Sequence, residues 1–114
     1  MGKSTMMRTQ NESGVFSSLG ADPDLSELVE MFVEEMPDRI ATLRQQGEAK
    51  DWEELRRTAH QIKGAAGSYG FDQVTPVAAT LEASCREVRA EQEICDDLDR
   101  LVSLCERLRA GEPT

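Results

Sequence analysis

Fold and function both depend on one stretch of the chain, Ala59-His60-Gln61-Ile62-Lys63-Gly64-Ala65-Ala66-Gly67-Ser68-Tyr69-Gly70-Phe71. It contains the only histidine among the 114 residues, followed by a run of very small side chains. Apolar residues at steps of three and four predict a helix with one buried stripe, formed by Trp52, Leu55, Ala59, Ile62 and Ala66. A neighbouring stripe, which holds His60, is therefore predicted to face outward beside the core: Arg56, His60, Lys63, Gly64 and Gly67.

Two glycines make this outward stripe unusual. Gly64 and Gly67 each lower helix stability by roughly 1 kcal/mol relative to alanine and offer no side chain to pack. Bare backbone at both positions indicates that another protein surface approaches His60 closely. Arg56 and Lys63 lie one turn to either side of the histidine and supply positive charge for an anion.

A first helix precedes this stretch. Asp22 and Pro23 predict its start, because an acidic N-cap and a proline in the first helical position suit the positive end of the helix dipole. Gly47 predicts its end. Pro37 lies inside it, which indicates either one kinked helix or two helices in sequence. Its predicted core stripe is Leu25, Leu28, Val29, Phe32, Val33, Met36, Ile40 and Leu43.

Local signals also place the ends of the helix that carries His60. Asp51 and Glu54 form a capping box at its start, and Gly70 predicts a left-handed residue at its end. The link after Gly47 is short, so the first two helices are predicted to be antiparallel neighbours. We expect Tyr69 and Phe71 to close that end of the bundle.

Two further helices complete the prediction. The third starts between Asp72 and Thr75, and the fourth stops near Gly111 and Pro113. Their stripes are Val74, Val77, Ala78, Leu81, Cys85 and Val88, and then Ile94, Leu98, Leu101, Cys105 and Leu108. With no alternation typical of strands, the chain is predicted to be all-α, an antiparallel four-helix bundle spanning residues 15–111.

The first residues carry no such pattern. Residues 1–14 are polar and without period, so we expect a disordered lead. Val15, Phe16 and Leu19 then form a short apolar cluster, which predicts either a turn of helix or an extended cap over the end of the bundle.

Composition excludes several classes of function. The formal net charge of −9 argues against binding nucleic acid or anionic membranes, which both recognise clustered lysine and arginine. Three cysteines without a CxxC pair or nearby histidines favour core residues in a reducing compartment over a zinc site or disulfides: Cys85, Cys95 and Cys105. No apolar run is long enough for a membrane span or a signal peptide, so we expect a cytoplasmic monomer that binds proteins.

The run from His60 to Phe71 resembles the signature of histidine-containing phosphotransfer (HPt) domains of two-component phosphorelays. Weaker similarity extends from about Asp24 to about Arg109. The resemblance implies that His60 accepts a phosphoryl group from the aspartate of a receiver domain and passes it to another receiver. The Mg²⁺ ion is then expected on the receiver, and this chain needs no cofactor of its own.

The resemblance also implies roles for residues around the histidine. Lys63 is expected to be a counter-charge for the phosphoryl group, with its ammonium free to reach it. Glu82 is expected either to accept a hydrogen bond that orients the imidazole or to be a solvated acid without a role in transfer. We expect partner contacts at the glycines and at a basic rim: Gly64, Gly67, Arg56, Arg57 and Arg86.

Two other functions fit parts of this pattern. A helical adaptor would bind receiver or kinase domains without being phosphorylated, but the intact histidine, lysine and glycines argue against it. The phosphoacceptor domain of a sensor kinase needs a two-helix dimer and an attached ATP-binding domain, and this chain has no ATP-binding motif. We therefore expect a phosphohistidine carrier without kinase activity.

Overall fold

The computed structural model of the chain describes residues 14–111. This part contains, in order, β1 (Val15–Phe16), α1 (Ser26–Glu48), α2 (Trp52–Ser68), α3 (Val74–Arg86), α4 (Glu91–Cys105) and β2 (Leu108–Arg109). Short turns join successive helices, which confirms the predicted four-helix bundle. The predicted disordered lead lies outside the described residues, apart from Gly14. Within residues 14–111, no helix has both the length and the apolar sequence that spanning a membrane requires.

Each helix contributes one apolar stripe to a single core. The predicted stripe of α1 is buried at five positions, Val29, Phe32, Met36, Ile40 and Leu43, whereas Leu28 is exposed and does not belong to it. In α2 the buried residues are Leu55, Ala59, Ile62 and Ala66. Phe71 is buried against Phe32, which also contacts Tyr69, so the predicted aromatic closure of this bundle end is confirmed. Each large side chain buried in this way stabilises the fold by about 1.5–3 kcal/mol.

The ends of α1 differ from the prediction. Asp22 caps a turn over residues 23–25, where its carboxylate accepts from the amide of Asp24, and the helix itself begins later, at Ser26. One continuous helix runs through Pro37. Gly47 does not end it, because α1 continues to Glu48 and the left-handed residue is Lys50, with φ of 56°.

The ends of α2 lie where the sequence predicts, but only half of the predicted capping box forms, because the amide of Asp51 donates to the carbonyl of Gln46 and Glu54 pairs with Arg57. The carboxylate of Asp51 accepts a hydrogen bond from the amide of Glu54 at 3.2 Å. At the other end Gly70 has a φ of 81°, and the amide of Phe71 donates to the carbonyl of Ala66. This is the 6→1 hydrogen bond of a Schellman motif, in which a left-handed residue closes the last turn of a helix.

The end of α3 shows a strained residue. The helix begins at Val74, within the predicted interval, but it ends at Arg86. Val88 follows in the left-handed region, with φ of 49°, and is 68% exposed. The prediction of Val88 as a core residue is therefore wrong. A β-branched residue rarely adopts this conformation, because its Cβ approaches the carbonyl oxygen.

The prediction that the fourth helix continues through Leu108 to about Gly111 is wrong. The helix ends at Cys105, and Leu108 and Arg109 form β2, which pairs in parallel with β1. Of the two predictions for residues 15–19, the extended cap is therefore correct. The same segment also bonds to the end of α2, where the amide of Ser18 donates to the carbonyl of Gly70.

The three cysteines are free thiols within the described part of the chain. Cys85 and Cys105 are buried, and burial raises the pKa of these thiols to about 11 and about 12. Their prediction as core residues is confirmed, while Cys95 is only half-buried.

Candidate functional site

His60 lies on the outer side of α2, between the buried residues Ala59 and Ile62. The helical turn places its imidazole at the boundary between α2 and α3, and its side chain is 62% exposed. The structure thus agrees with the predicted position beside the core. An imidazole in this position is open to a macromolecular partner.

Glu82 reaches the histidine from α3. Its side chain is only 9% exposed, and its carboxylate is divided between two partners on α2: Oε2 lies 2.9 Å from His60 Nδ1, and Oε1 lies 2.7 Å from Lys63 Nζ. An ionised carboxylate can only accept hydrogen bonds, so Nδ1 of His60 carries the proton and donates it. In the neutral ring the lone pair is then on Nε2.

The charge of Glu82 is stabilised by these same partners. The hydrogen bond from Lys63 lowers the pKa of Glu82 below its ordinary value of 4.5, and His60 contributes in the same direction. Burial opposes both, because it disfavours the charged form. The carboxylate therefore stays ionised at neutral pH despite its burial.

Lys63 is bound in a way that the sequence does not predict. Its ammonium is not free, because it forms the ion pair with Glu82, and the side chain is 31% exposed. Lys63 therefore fixes the carboxylate of Glu82, and that carboxylate in turn orients His60 through a hydrogen bond. No local signal reveals this pair, since nineteen positions separate the two residues in the sequence.

The predicted basic rim is only partly available. Arg56 pairs with Glu53 at 2.6 Å, and Arg57 pairs with both Glu53 and Glu54. Arg86 is exposed and forms no ion pair within residues 14–111. The structure places all three on α2 or α3, with two of them engaged inside their own helix.

No packing contact within the described part of the domain requires glycine at position 64 or 67. A Cβ on Gly64 would meet no atom within 4 Å, and one on Gly67 would lie 3.6 Å from Thr75 Oγ1, an ordinary contact. At Gly47, by contrast, a Cβ would lie 2.5 Å from Leu98 Cδ2, so that glycine serves the packing of α1 against α4. Within α2, the glycines beside His60 thus leave open surface that a larger side chain would cover.

Comparison with protein families gives a match to the Hpt domain over residues 27–111. The chain belongs to the Hpt domain family. Comparison with curated proteins and with solved structures gave no match. Hpt domains carry phosphoryl groups on a histidine in phosphorelays and interact with receiver domains of two-component systems. His60 is the only histidine that this Hpt domain contains.

Sequence analysis identifies Glu82 and Arg86 but not the stripe of α3 to which they belong, nor its other two members, Thr75 and Ala79. Thr75, Ala79, Glu82 and Arg86 follow one another on α3 at steps of four, three and four, which places them on one side of that helix. This small and polar stripe faces the outward stripe of α2, as the contacts of Thr75 and Glu82 show. The helical spacing of these four residues is a signal that could reveal the stripe from the sequence, because the stripe lies beside the apolar stripe of α3.

Proposed function

We propose that His60 is the phosphoacceptor of this Hpt domain, which takes a phosphoryl group from the aspartate of one receiver domain and gives it to another receiver. The observation that carries the proposal is the hydrogen bond between His60 Nδ1 and the ionised Glu82. It fixes the tautomer of the ring and leaves the nucleophilic nitrogen, Nε2, on the exposed imidazole.

The transfer step needs no base from this chain. The lone pair of Nε2 forms a bond to phosphorus, the bond between phosphorus and the aspartyl oxygen breaks, and its electrons return to the aspartate carboxylate. The proton stays on Nδ1, so the ring becomes a cation. In the second transfer a carboxylate of the next receiver attacks phosphorus, and the electrons of the P–N bond return to Nε2.

Glu82 acts in both transfers through the ring. When Nε2 gains the phosphoryl group, the positive charge of the imidazolium develops next to a carboxylate that already accepts its proton. Glu82 is ionised in both states, and its hydrogen bond with a cationic ring is stronger than that with a neutral ring, so Glu82 stabilises the phosphorylated ring more than the free ring. Phosphoryl transfer proceeds mainly by such positioning and charge stabilisation.

Lys63 stabilises two negative charges near the histidine, that of Glu82 and that of the transferred phosphoryl group. In the free protein it neutralises Glu82, and its position one turn from His60 lets the flexible side chain also approach a phosphoryl group that carries about −2. We infer that the ammonium is shared between the two anions in the phosphorylated state. The open surface at Gly64 and Gly67 admits the receiver, which brings the Mg²⁺ ion with its acidic pocket.

The test is transfer from a receiver domain labelled with radioactive phosphate. We expect label on the wild-type protein that is stable in alkali and labile in acid, with the ³¹P resonance of the Nε2 isomer of phosphohistidine. His60→Gln should carry no label and should keep its melting temperature, because the exposed ring contributes little to the core. Label on the glutamine variant would refute the assignment.

The same experiment separates the adaptor function. An adaptor would bind the receiver as tightly as a carrier would, yet remain unlabelled. We further propose that the domain acts as a monomer in the cytoplasm, in keeping with its acidic composition and free thiols. A dimeric mass by light scattering, or recovery outside the cytoplasmic fraction, would contradict this part of the proposal.

A further inference from the structure

The boundary between α2 and α3 differs in chemistry from one end to the other. We define the α2–α3 seam as the facing stripes of these helices: Arg56, His60, Lys63, Gly64 and Gly67 on α2, and Thr75, Ala79, Glu82 and Arg86 on α3. The helices are antiparallel, so Gly67 faces Thr75, His60 faces Glu82, and Arg56 lies at the end of the seam that holds Arg86. One end of the seam is small and uncharged, and the other is cationic.

The cations of the seam are not equally available. Arg56 is engaged with Glu53, and Lys63 is engaged with Glu82. A partner that recruits either cation must first replace an existing ion pair. Arg86 is exposed and unpaired within residues 14–111, so its guanidinium can bind a carboxylate of a partner without breaking any contact. The Cα atom of Arg86 lies about 6 Å along the axis of α3 from that of Glu82, since each helical residue rises about 1.5 Å.

The charges of the four helices also favour binding of an acidic partner at the α2–α3 seam. Helix α1 carries six acidic and two basic side chains, and α4 carries five acidic and one basic. Helix α2 has two acidic and three basic side chains, and α3 has one of each. An acidic surface is therefore repelled by the α1 and α4 faces and directed to the seam, where Arg86 is the unengaged cation.

We infer that Arg86 is a specificity-determining residue, which binds an acidic group at the rim of the receiver's phosphorylation pocket and so sets the orientation of the docked receiver along the seam. This inference rests on the proposed function. Arg86 acts in binding and does not touch the transferred group.

The experiment measures phosphotransfer kinetics from a ³²P-labelled receiver domain at several salt concentrations. Arg86→Ala should raise KM about five-fold at low salt, with kcat unchanged, because an exposed ion pair contributes up to about 1 kcal/mol. Arg86→Glu should raise KM further. The difference from wild type should shrink as salt increases, since exposed charges are screened. Arg57→Ala should raise KM less than Arg86→Ala, because Arg57 is engaged with its own helix.

The matched control is Arg44→Ala, which removes the same charge from α1, on another face of the bundle. It should leave both kinetic constants unchanged. An Arg86→Ala variant with wild-type KM at low salt, or one whose loss appears only in kcat, would overturn the inference. Labelling of His60 in all of these variants keeps the proposed function, so the two failures are distinguishable. Melting temperatures check that every variant is folded.

Discussion

Replacement of Lys63 by methionine should destabilise this protein, although lysine is usually a dispensable surface residue. Lys63 Nζ lies 2.7 Å from an oxygen of Glu82, whose side chain is 9% exposed. Methionine keeps the length and helix propensity of lysine but leaves the buried carboxylate with His60 as its remaining partner. The variant therefore isolates the ion pair from packing and from local helix stability.

The magnitude follows from the geometry. Two unit charges 4 Å apart near a protein surface interact by about 4 kcal/mol, and desolvation of the carboxylate offsets much of this. Lys63 is 31% exposed, so solvent screens the pair further. We expect Lys63→Met to lower the free energy of unfolding by about 1–2 kcal/mol, which corresponds to about 4–8 °C in melting temperature for a domain of this size.

The pH dependence of this loss has a definite sign. The pKa of Glu82 is lowered in the folded protein, chiefly by Lys63, so its contribution to stability is present above 4.5 and is lost as pH falls through the folded value. Without Lys63 the folded pKa of Glu82 rises, because burial still disfavours the charge. The stability difference between wild type and variant should therefore be full at pH 7 and should vanish once Glu82 is protonated in both.

Thermal and urea unfolding of the unphosphorylated protein at pH 7 and at pH 3 provide the assay. Arg57→Met is the control, because it removes a cation of the same helix whose partners are exposed, and it should change the free energy by less than about 0.5 kcal/mol. Equal melting temperatures of wild type and Lys63→Met at pH 7 would refute the reasoning. A difference that persists undiminished at pH 3 would show that the loss is due to packing.

Two other substitutions test separate features. Val88→Gly should raise the free energy of unfolding by about 1 kcal/mol, because it relieves a left-handed valine that packs little, whereas Val88→Ala should not; a less stable glycine variant would contradict this. Gly64→Gln should slow phosphotransfer from a labelled receiver at least ten-fold, a loss of about 1.4 kcal/mol in transition-state stabilisation, without lowering the melting temperature. Unchanged transfer kinetics would show that the receiver does not approach over Gly64.

The sequence predicts α2 best because its ends are determined locally. Asp51 and Gly70 are residues whose own chemistry favours a helix start and a left-handed end, and both act as predicted. The left-handed residues that follow α1 and α3, Lys50 and Val88, could not be predicted in this way, since neither side chain favours a positive φ. The strand pair could not be predicted either, because β1 and β2 are short and lie at opposite ends of the described chain.

The features of the site also divide into those that local sequence predicts and those that depend on contacts between helices. The exposure of His60 and the open surface at Gly64 follow from helical spacing, which a sequence displays directly. The contact between Glu82 and His60 was expected from the family resemblance, and the structure contains it. The ion pair of Lys63 was not expected, because spacing within one helix says nothing about which side chain of another helix will compete for a charge.

The parallel pairing of β1 with β2 has a mechanical consequence. Gly14 lies just before β1 and Gly111 lies just after β2, so tension between these two residues would pull the strands in opposite directions along their length. The hydrogen bonds of the pair are then loaded together in shear. A pull on the two ends therefore loads this strand pair before it can unwind a helix.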